Sequence, residues 1–351
     1  MKMLIVGPSW IGDMMMSHSL YRSLAKRNPS LEIHVIAPAW CQPLLKHMPE
    51  VKQALVLPFG HGTLELVNRW RLGKLLQKAN YQQAIILPNS FKSALLPYFA
   101  RIPRRIGWRG EMRYGLLNDQ RVLDRKAFPS MFDRYVALAY DAQTIHCAAD
   151  LPQPLLPPLL TINKLETQTI LKNFAVDNRR ELIGLCPGAE FGPAKRWPHY
   201  HYLTLAKKLI DSGYQLILFG SIKDYEIGQL IQSGLSIEQQ NYCRNLAGET
   251  SLDQAILLIA ACRGIVSNDS GLMHIASALE RPLVALYGPT SAEFAPPLSK
   301  NASVIRLIKG HYKIRKGKGD NGYHQSLIDI QPEQVFDTLI NLLSSSTVSI
   351  N

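Results

Sequence analysis

Apolar runs of three to five residues, without regular polar alternation, recur along this chain, and longer stretches with helical spacing separate them. Leu4 to Val6, Ile33 to Ile36, Ala54 to Leu57 and Ala84 to Leu87 make a first series, with helices expected over Met14 to Lys26 and Thr63 to Lys78. A strand that is apolar on both faces has to be covered on both, and helices flanking a parallel sheet do this. The pattern restarts at Leu182 to Cys186 and continues through Gln215 to Phe219, Gly264 to Ser267 and Leu283 to Leu286. Helices are expected over Tyr200 to Ser212, Leu252 to Ala261 and Pro332 to Leu343. Between the two series, Leu151 to Leu160 holds four prolines in ten residues, which suits neither a helix nor a central strand. The expected fold is therefore α/β, with two doubly wound Rossmann-like domains, residues 1–165 and 166–351, facing a central cleft. The last helix is free in this reading to pack back on the first domain.

A length of 351 residues suits two cores of that size. The net charge of +12 points to an anionic partner: nucleic acid, a membrane surface or a phosphorylated substrate. The first residues form too short an apolar run for a secretory signal, and no stretch reaches the length of a membrane span. Cys41, Cys147, Cys186, Cys243 and Cys262 lack CxxC spacing and suggest reduced thiols of a cytoplasmic protein. His311 and His324 show no metal-ligand spacing, so no metal site is expected.

Ligands of doubly wound sheets bind at the carboxyl ends of the strands, so the loops there carry the candidates. Asn268-Asp269-Ser270-Gly271-Leu272-Met273-His274 leads from a strand into a helix. Asp269 or Ser270 could cap that helix, or its free N–H groups could hold a phosphate. Gly7 to Asp13 follows the first strand and puts a carboxylate in a first helical turn. Asp13 could accept a proton from a hydroxyl or simply complement the helix dipole. Pro187 to Pro198 closes onto a helix with Lys195 and Arg196, which suit a diphosphate or are an ordinary solvated pair. Asp224 and Glu226 follow the strand ending at Phe219, as ribose ligands or as part of a capping box. Asn245 to Gly248 forms a turn that could line an adenine pocket. Arginines crowd residues 101–125, and a second basic run spans Lys309 to Lys318. Either run could bind phosphates or lie on a solvated face.

Taken together, these blocks resemble the heptosyltransferase family of inverting GT-B glycosyltransferases, nearly end to end. The likeness rests on Gly7 to Met16, Ala37 to Cys41, Leu87 to Ala94, Gly107 to Asn118, Cys186 to Tyr200 and Asn268 to His274. It implies an ADP-heptose donor and, as acceptor, a heptosylated Kdo-bearing lipid A core at the cytoplasmic face of the inner membrane. No cofactor, no metal and no nucleic acid is implied. Asp13 matches the family's general base and Lys195 the cation that stabilises departing ADP. Asp269, Ser270, Gly271 and His274 match the turn holding the donor's phosphates and sugar, Asp224 the ribose-binding acid and Leu246 an adenine-side contact. Glu190 and Phe191 stand where a related branch has a hydroxyl pair near the donor. Lys92, Arg109 and Arg113 are acceptor candidates by charge and position. Two other readings stay open: a nucleotide-sugar epimerase of the same fold, and a non-enzymatic binder of nucleic acid or membrane.

Overall fold

The computed structural model describes all residues except His61, Asp177, Asn178, His311 and 348–351, and excludes the side chains of 320, 346 and 347. The chain divides into two compact units, Met1–Pro158 and Leu159–Asn351. In the first, β1 (Lys2–Val6), β2 (Glu32–Ala37), β3 (Val51–Val56), β4 (Gln83–Ile86), β5 (Arg104–Trp108) and β6 (Asp119–Arg121) form a parallel sheet. Their order is β3-β2-β1-β4-β5-β6. Helices α1 (Ile11–Arg27), α2 (Gln42–Lys46), α3 (Leu66–Leu76), α4 (Phe91–Phe99) and α5 (Met131–Val136) accompany it. The second unit holds β7 (Leu182–Cys186), β8 (Gln215–Leu218), β9 (Cys243–Asn245), β10 (Gly264–Asn268), β11 (Leu283–Tyr287) and β12 (Ala302–Arg306). Its helices are α6 (Lys164–Asn173), α7 (His199–Asp211), α8 (Tyr225–Ser233), α9 (Ile237–Gln240), α10 (Leu252–Ala261), α11 (Gly271–Ala278), α12 (Gln325–Ile328) and α13 (Pro332–Thr347).

The second sheet runs β9-β8-β7-β10-β11-β12, so both units share one topology, in which the order reverses beside the first strand. The two doubly wound, parallel halves expected from the apolar runs are both present. Ligands of such sheets sit where the order reverses, outside the carboxyl ends of β1 and β4, or of β7 and β10. Each of those four strands ends in a loop that carries candidate residues.

The central strands are apolar because they are covered on both faces: every residue of β7, β10 and β11 is buried. Four strands lie outside the sequence reading: β5, β6, β9 and β12. β6, β9 and β12 are sheet edges and β5 lies next to one; RRIGW, CRN and ASVIR mix charged with apolar residues, and DQR is polar throughout. An edge strand need not be apolar on both faces, so the pattern that reveals a central strand is missing there.

The last helix contributes to the core of the second unit. Val335, Leu339 and Leu343 of α13 recur every fourth residue and enter the second unit's own core with Ile183, Val266 and Val284. Burying such side chains is worth roughly 1.5–3 kcal/mol each, which commits the helix's apolar stripe to its own sheet. All five cysteines are free thiols, and burial pushes Cys186 up to about 12. No described helix is long and apolar enough to cross a membrane, and the described residues hold no His, Cys, Asp and Glu cluster able to bind a metal.

Candidate active-site residues

At the reversal point of the second unit, β7 leads into the loop bearing Lys195 and β10 leads into the turn before α11. Asn268 joins the two. Its Oδ1 accepts from the Trp197 backbone N–H at 3.0 Å, and its Nδ2 donates to the Pro187 carbonyl at 2.8 Å. Both Asn268 and Trp197 are buried, so these bonds form where an unmet polar group is costly. The Trp197 indole N–H donates to the Ile330 carbonyl at 2.9 Å, pinning the loop immediately after Lys195.

Lys195 Nζ lies 2.6 Å from Asp269 Oδ2, and Thr290 Oγ1 donates to that same oxygen at 2.7 Å. Asp269 therefore faces across to the lysine loop and does not cap α11. Ser270 holds the N-cap position but makes no side-chain cap bond; its Oγ lies 3.4 Å from Ser267 Oγ. By contrast, Ser130, Ser236 and Ser251 all cap the helices they precede. The capping alternative for Asp269 or Ser270 is thus not observed, and among the described residues no side chain accepts from the first N–H groups of α11, beginning at Gly271. Such an end attracts anions. His274, in the first turn, is buried, and desolvation lowers its pKa to about 4 even though the Asp269 carboxylate acts the other way. It is uncharged near neutral pH and adds polarity to the site without adding charge.

Asp224 stands at the carboxyl end of β8, beside this loop. A side chain on Gly188 would come within 2.4 Å of its carboxyl carbon, which accounts for the glycine there. Ser221 donates to Asp224 Oδ2 through both its backbone N–H (3.0 Å) and its Oγ (2.8 Å), while Arg196 donates to Oδ1 at 3.2 Å. The capping-box alternative is what this structure realises, so a ribose would have to share the carboxylate with Arg196. Leu246 is buried and its N–H donates to the Leu218 carbonyl. A backbone contact from Leu246 to an adenine therefore falls to its carbonyl, which accepts from Glu249 and keeps a second lone pair. Glu190 is exposed and pairs with Lys223, and the half-exposed Phe191 ring lies 5.6 Å from Lys195 Nζ.

In the first unit, Asp13 sits in the first turn of α1, at the end of β1. Sequence reasoning missed its partner. Tyr135 of α5 is buried, and its hydroxyl hydrogen-bonds the Asp13 side chain; desolvation first, then the Asp13 charge, hold the phenol well above its ordinary pKa. The phenol thus stays protonated and donates to the carboxylate. No motif surrounds Tyr135; it reaches Asp13 because α5 packs along α1.

Lys92 is in the first turn of α4, at the end of β4, and Arg109 is exposed just beyond β5. Arg113 requires correction as an acceptor candidate. It is fully buried, and its guanidinium donates to the carbonyls of Pro88 and Trp108 and to Asn89 Oδ1. A chain turning beneath the loop after β4 needs donors for those carbonyls, and arginine supplies them. Three further arginines of that cluster are likewise engaged internally. Arg104 and Arg121 pair with Asp119, and Arg105 donates to the carbonyls of Leu116 and Ile102. In the second basic run, apart from His311, which lies outside the described residues, the cations are exposed, but parts of the backbone are tied down. Tyr312 N–H donates to the Pro289 carbonyl, and the Arg315 carbonyl accepts from Ala194 N–H.

Comparison with known proteins finds similarity along most of the chain. The sequence profile of glycosyltransferase family 9 (heptosyltransferase) matches residues 69–323. Lipopolysaccharide heptosyltransferase 2 of Salmonella typhimurium is 62% identical over 348 residues, covering 99% of this chain and 100% of that protein. Lipooligosaccharide heptosyltransferase 2 of Haemophilus influenzae is 54% identical, covering 98% and 100%. The solved structure of E. coli ADP-heptose lps heptosyltransferase II superposes with a TM-score of 0.92 at 58% identity, covering 99% of this chain and 100% of that one.

Proposed function

The chain belongs to glycosyltransferase family 9, the heptosyltransferases, and from that membership we propose that it moves L-glycero-D-manno-heptose from ADP-heptose to the first heptose of a Kdo-bearing lipid A core. The observation that carries the donor half is the uncapped start of α11 with Lys195 beside it. As the bond from the anomeric carbon to the diphosphate breaks, its electron pair goes to ADP. Lys195 and the N–H groups from Gly271 onward stabilise charge where it develops. Asp13 takes the proton of the attacking acceptor hydroxyl, and attack opposite the leaving group inverts the configuration. Ser270 and His274 contact the phosphates or sugar, Asp224 and Leu246 the nucleoside, and Glu190 and Phe191 the rim of the donor loop. Lys92 and Arg109 are left to meet the anionic acceptor. Incubation with ADP-heptose and a core acceptor carrying one heptose should release ADP and yield the diheptosylated product. Folded protein that releases none would refute the proposal. The relatives' transferase names do not favour an epimerase, and donor alone should be recovered unchanged.

In this proposal Tyr135 tunes the base. A hydrogen bond to a carboxylate favours its ionised form and is worth about 1.5–3 kcal/mol. Tyr135→Phe removes that bond, so the carboxylate should hold its proton to higher pH. The acid limb of kcat/KM against pH should move upward by about one unit. An unmoved limb would leave Tyr135 a packing residue only.

The acceptor's lipid would bring the enzyme to a membrane surface, for which α3 is suited. Leu66, Val67, Trp70 and Leu75 are exposed, and so are Arg71, Lys74 and Lys78. Lys74 Nζ lies 5.8 Å from the Trp70 ring, while Leu72, Gly73 and Leu76 form the side that faces the protein. An apolar outer face ringed by cations fits an anionic lipid interface. Val67→Ser with Trp70→Ser should cut cosedimentation with phosphatidylglycerol vesicles by on the order of tenfold, given the apolar area removed. Equal binding by the variant would exclude α3.

A further inference from the structure

Three cations around the lysine loop face carboxylates: Lys195 with Asp269, Arg196 with Asp224 and Lys223 with Glu190. Arg315, beside them, does not. It is exposed, and no carboxylate among the described residues pairs with it. Its guanidinium carbon lies 5.3 Å from the centre of the Phe191 ring, the ring that Lys195 Nζ approaches at 5.6 Å. Two cations therefore share one aromatic ring, which holds them close to each other without neutralising either.

The chain around Arg315 is held in place with the same care. Ala194 N–H donates to the Arg315 carbonyl at 3.1 Å, Tyr312 N–H to the Pro289 carbonyl at 2.7 Å, and Gly317 N–H to the Gly322 carbonyl at 2.7 Å. Gly192 has φ of 145°, and a Cβ there would lie 2.4 Å from the Arg315 carbonyl oxygen. Only glycine allows this approach, so the basic segment is seated on the donor loop by backbone geometry and not by charge alone. The Lys195–Asp269 pair is close to neutral as a unit. A diphosphate arriving beside it needs a cation with no carboxylate of its own.

We infer that Arg315 is a binding residue for the diphosphate of the nucleotide donor, presented by the 312–318 segment as a strap over the Lys195 loop. This rests on the donor-site reading above. A guanidinium offers two parallel N–H donors to phosphate oxygens, which an ammonium does not. The inference is tested by calorimetric titration of the full-length protein with ADP and with AMP, which need no acceptor and no turnover. Arg315→Ala should weaken ADP about tenfold and AMP less than about threefold, since AMP lacks the second phosphate. Arg315→Lys, which keeps charge but loses the fork, should fall between wild type and Arg315→Ala for ADP. Unchanged melting temperature would show that the exposed side chain is not needed for folding. Wild-type affinity for ADP in Arg315→Ala overturns the assignment, as does an equal loss for ADP and AMP. Wild-type protein that binds no ADP would instead overturn the donor site beneath it.

Discussion

Asp13→Asn is expected to lower kcat by about 10³-fold, within the range usual for loss of a general base. Asparagine keeps the shape of the side chain, and its carbonyl oxygen can still accept from the buried Tyr135 hydroxyl. What it loses is the capacity to take a proton. The proposed nucleotide contacts all lie in the other unit, so ADP affinity should stay at the wild-type value. Steady-state kinetics with ADP-heptose and acceptor, beside ADP calorimetry, separate the outcomes. A kcat within a few-fold of wild type would remove Asp13 as the base. Lost ADP affinity would make it a ligand contact instead.

Lys195→Met should reduce kcat by roughly 10²–10³-fold, the usual cost of removing one group that stabilises developing charge. The 2.6 Å pair with Asp269 adds a second consequence. Without the ammonium, the Asp269 carboxylate is left facing the phosphate position, so ADP affinity should fall as well. Adding Asp269→Asn removes that repulsion while leaving an oxygen for Thr290 to donate to. The double variant should therefore regain much of the ADP affinity but little of kcat. If kcat returned as well, the lysine would be acting only to neutralise Asp269, and the charge on departing ADP would be met by other groups.

The two cases show how far a sequence of this type can be read. Lys195, Asp269 and Asp13 could be singled out because each follows an apolar run in a glycine-rich loop, and such loops end the strands of a parallel sheet. Their partners could not be. Nothing near Asp13 in the chain signals Tyr135, and nothing near Arg113 signals that its charge is buried beneath carbonyls. A run of arginines looks alike whether it faces solvent or satisfies a backbone. The cations from Lys309 to Lys318 are exposed, yet Gly192 and Ala194 hold the Arg315 backbone against the Lys195 loop. The strands β5, β6, β9 and β12 escaped notice for a related reason, since at or near an edge the pattern of burial is weakest.

What the sequence determined by itself was local: strands apolar on both faces, helices between them, a proline-rich join, and the loops where chemistry can sit. Periodicity encodes these because each depends on neighbours a few residues apart. Family resemblance added the candidate roles. Only the tertiary structure decided which charges meet. The order β9-β8-β7-β10-β11-β12 sets β10 against β7, and Asn268 then bridges to Pro187 and Trp197. That adjacency puts Asp269 on Lys195 and leaves the start of α11 uncapped. Hydrogen bonds and ion pairs act over a few ångströms between distant segments, so their partners follow from how the sheet is wound.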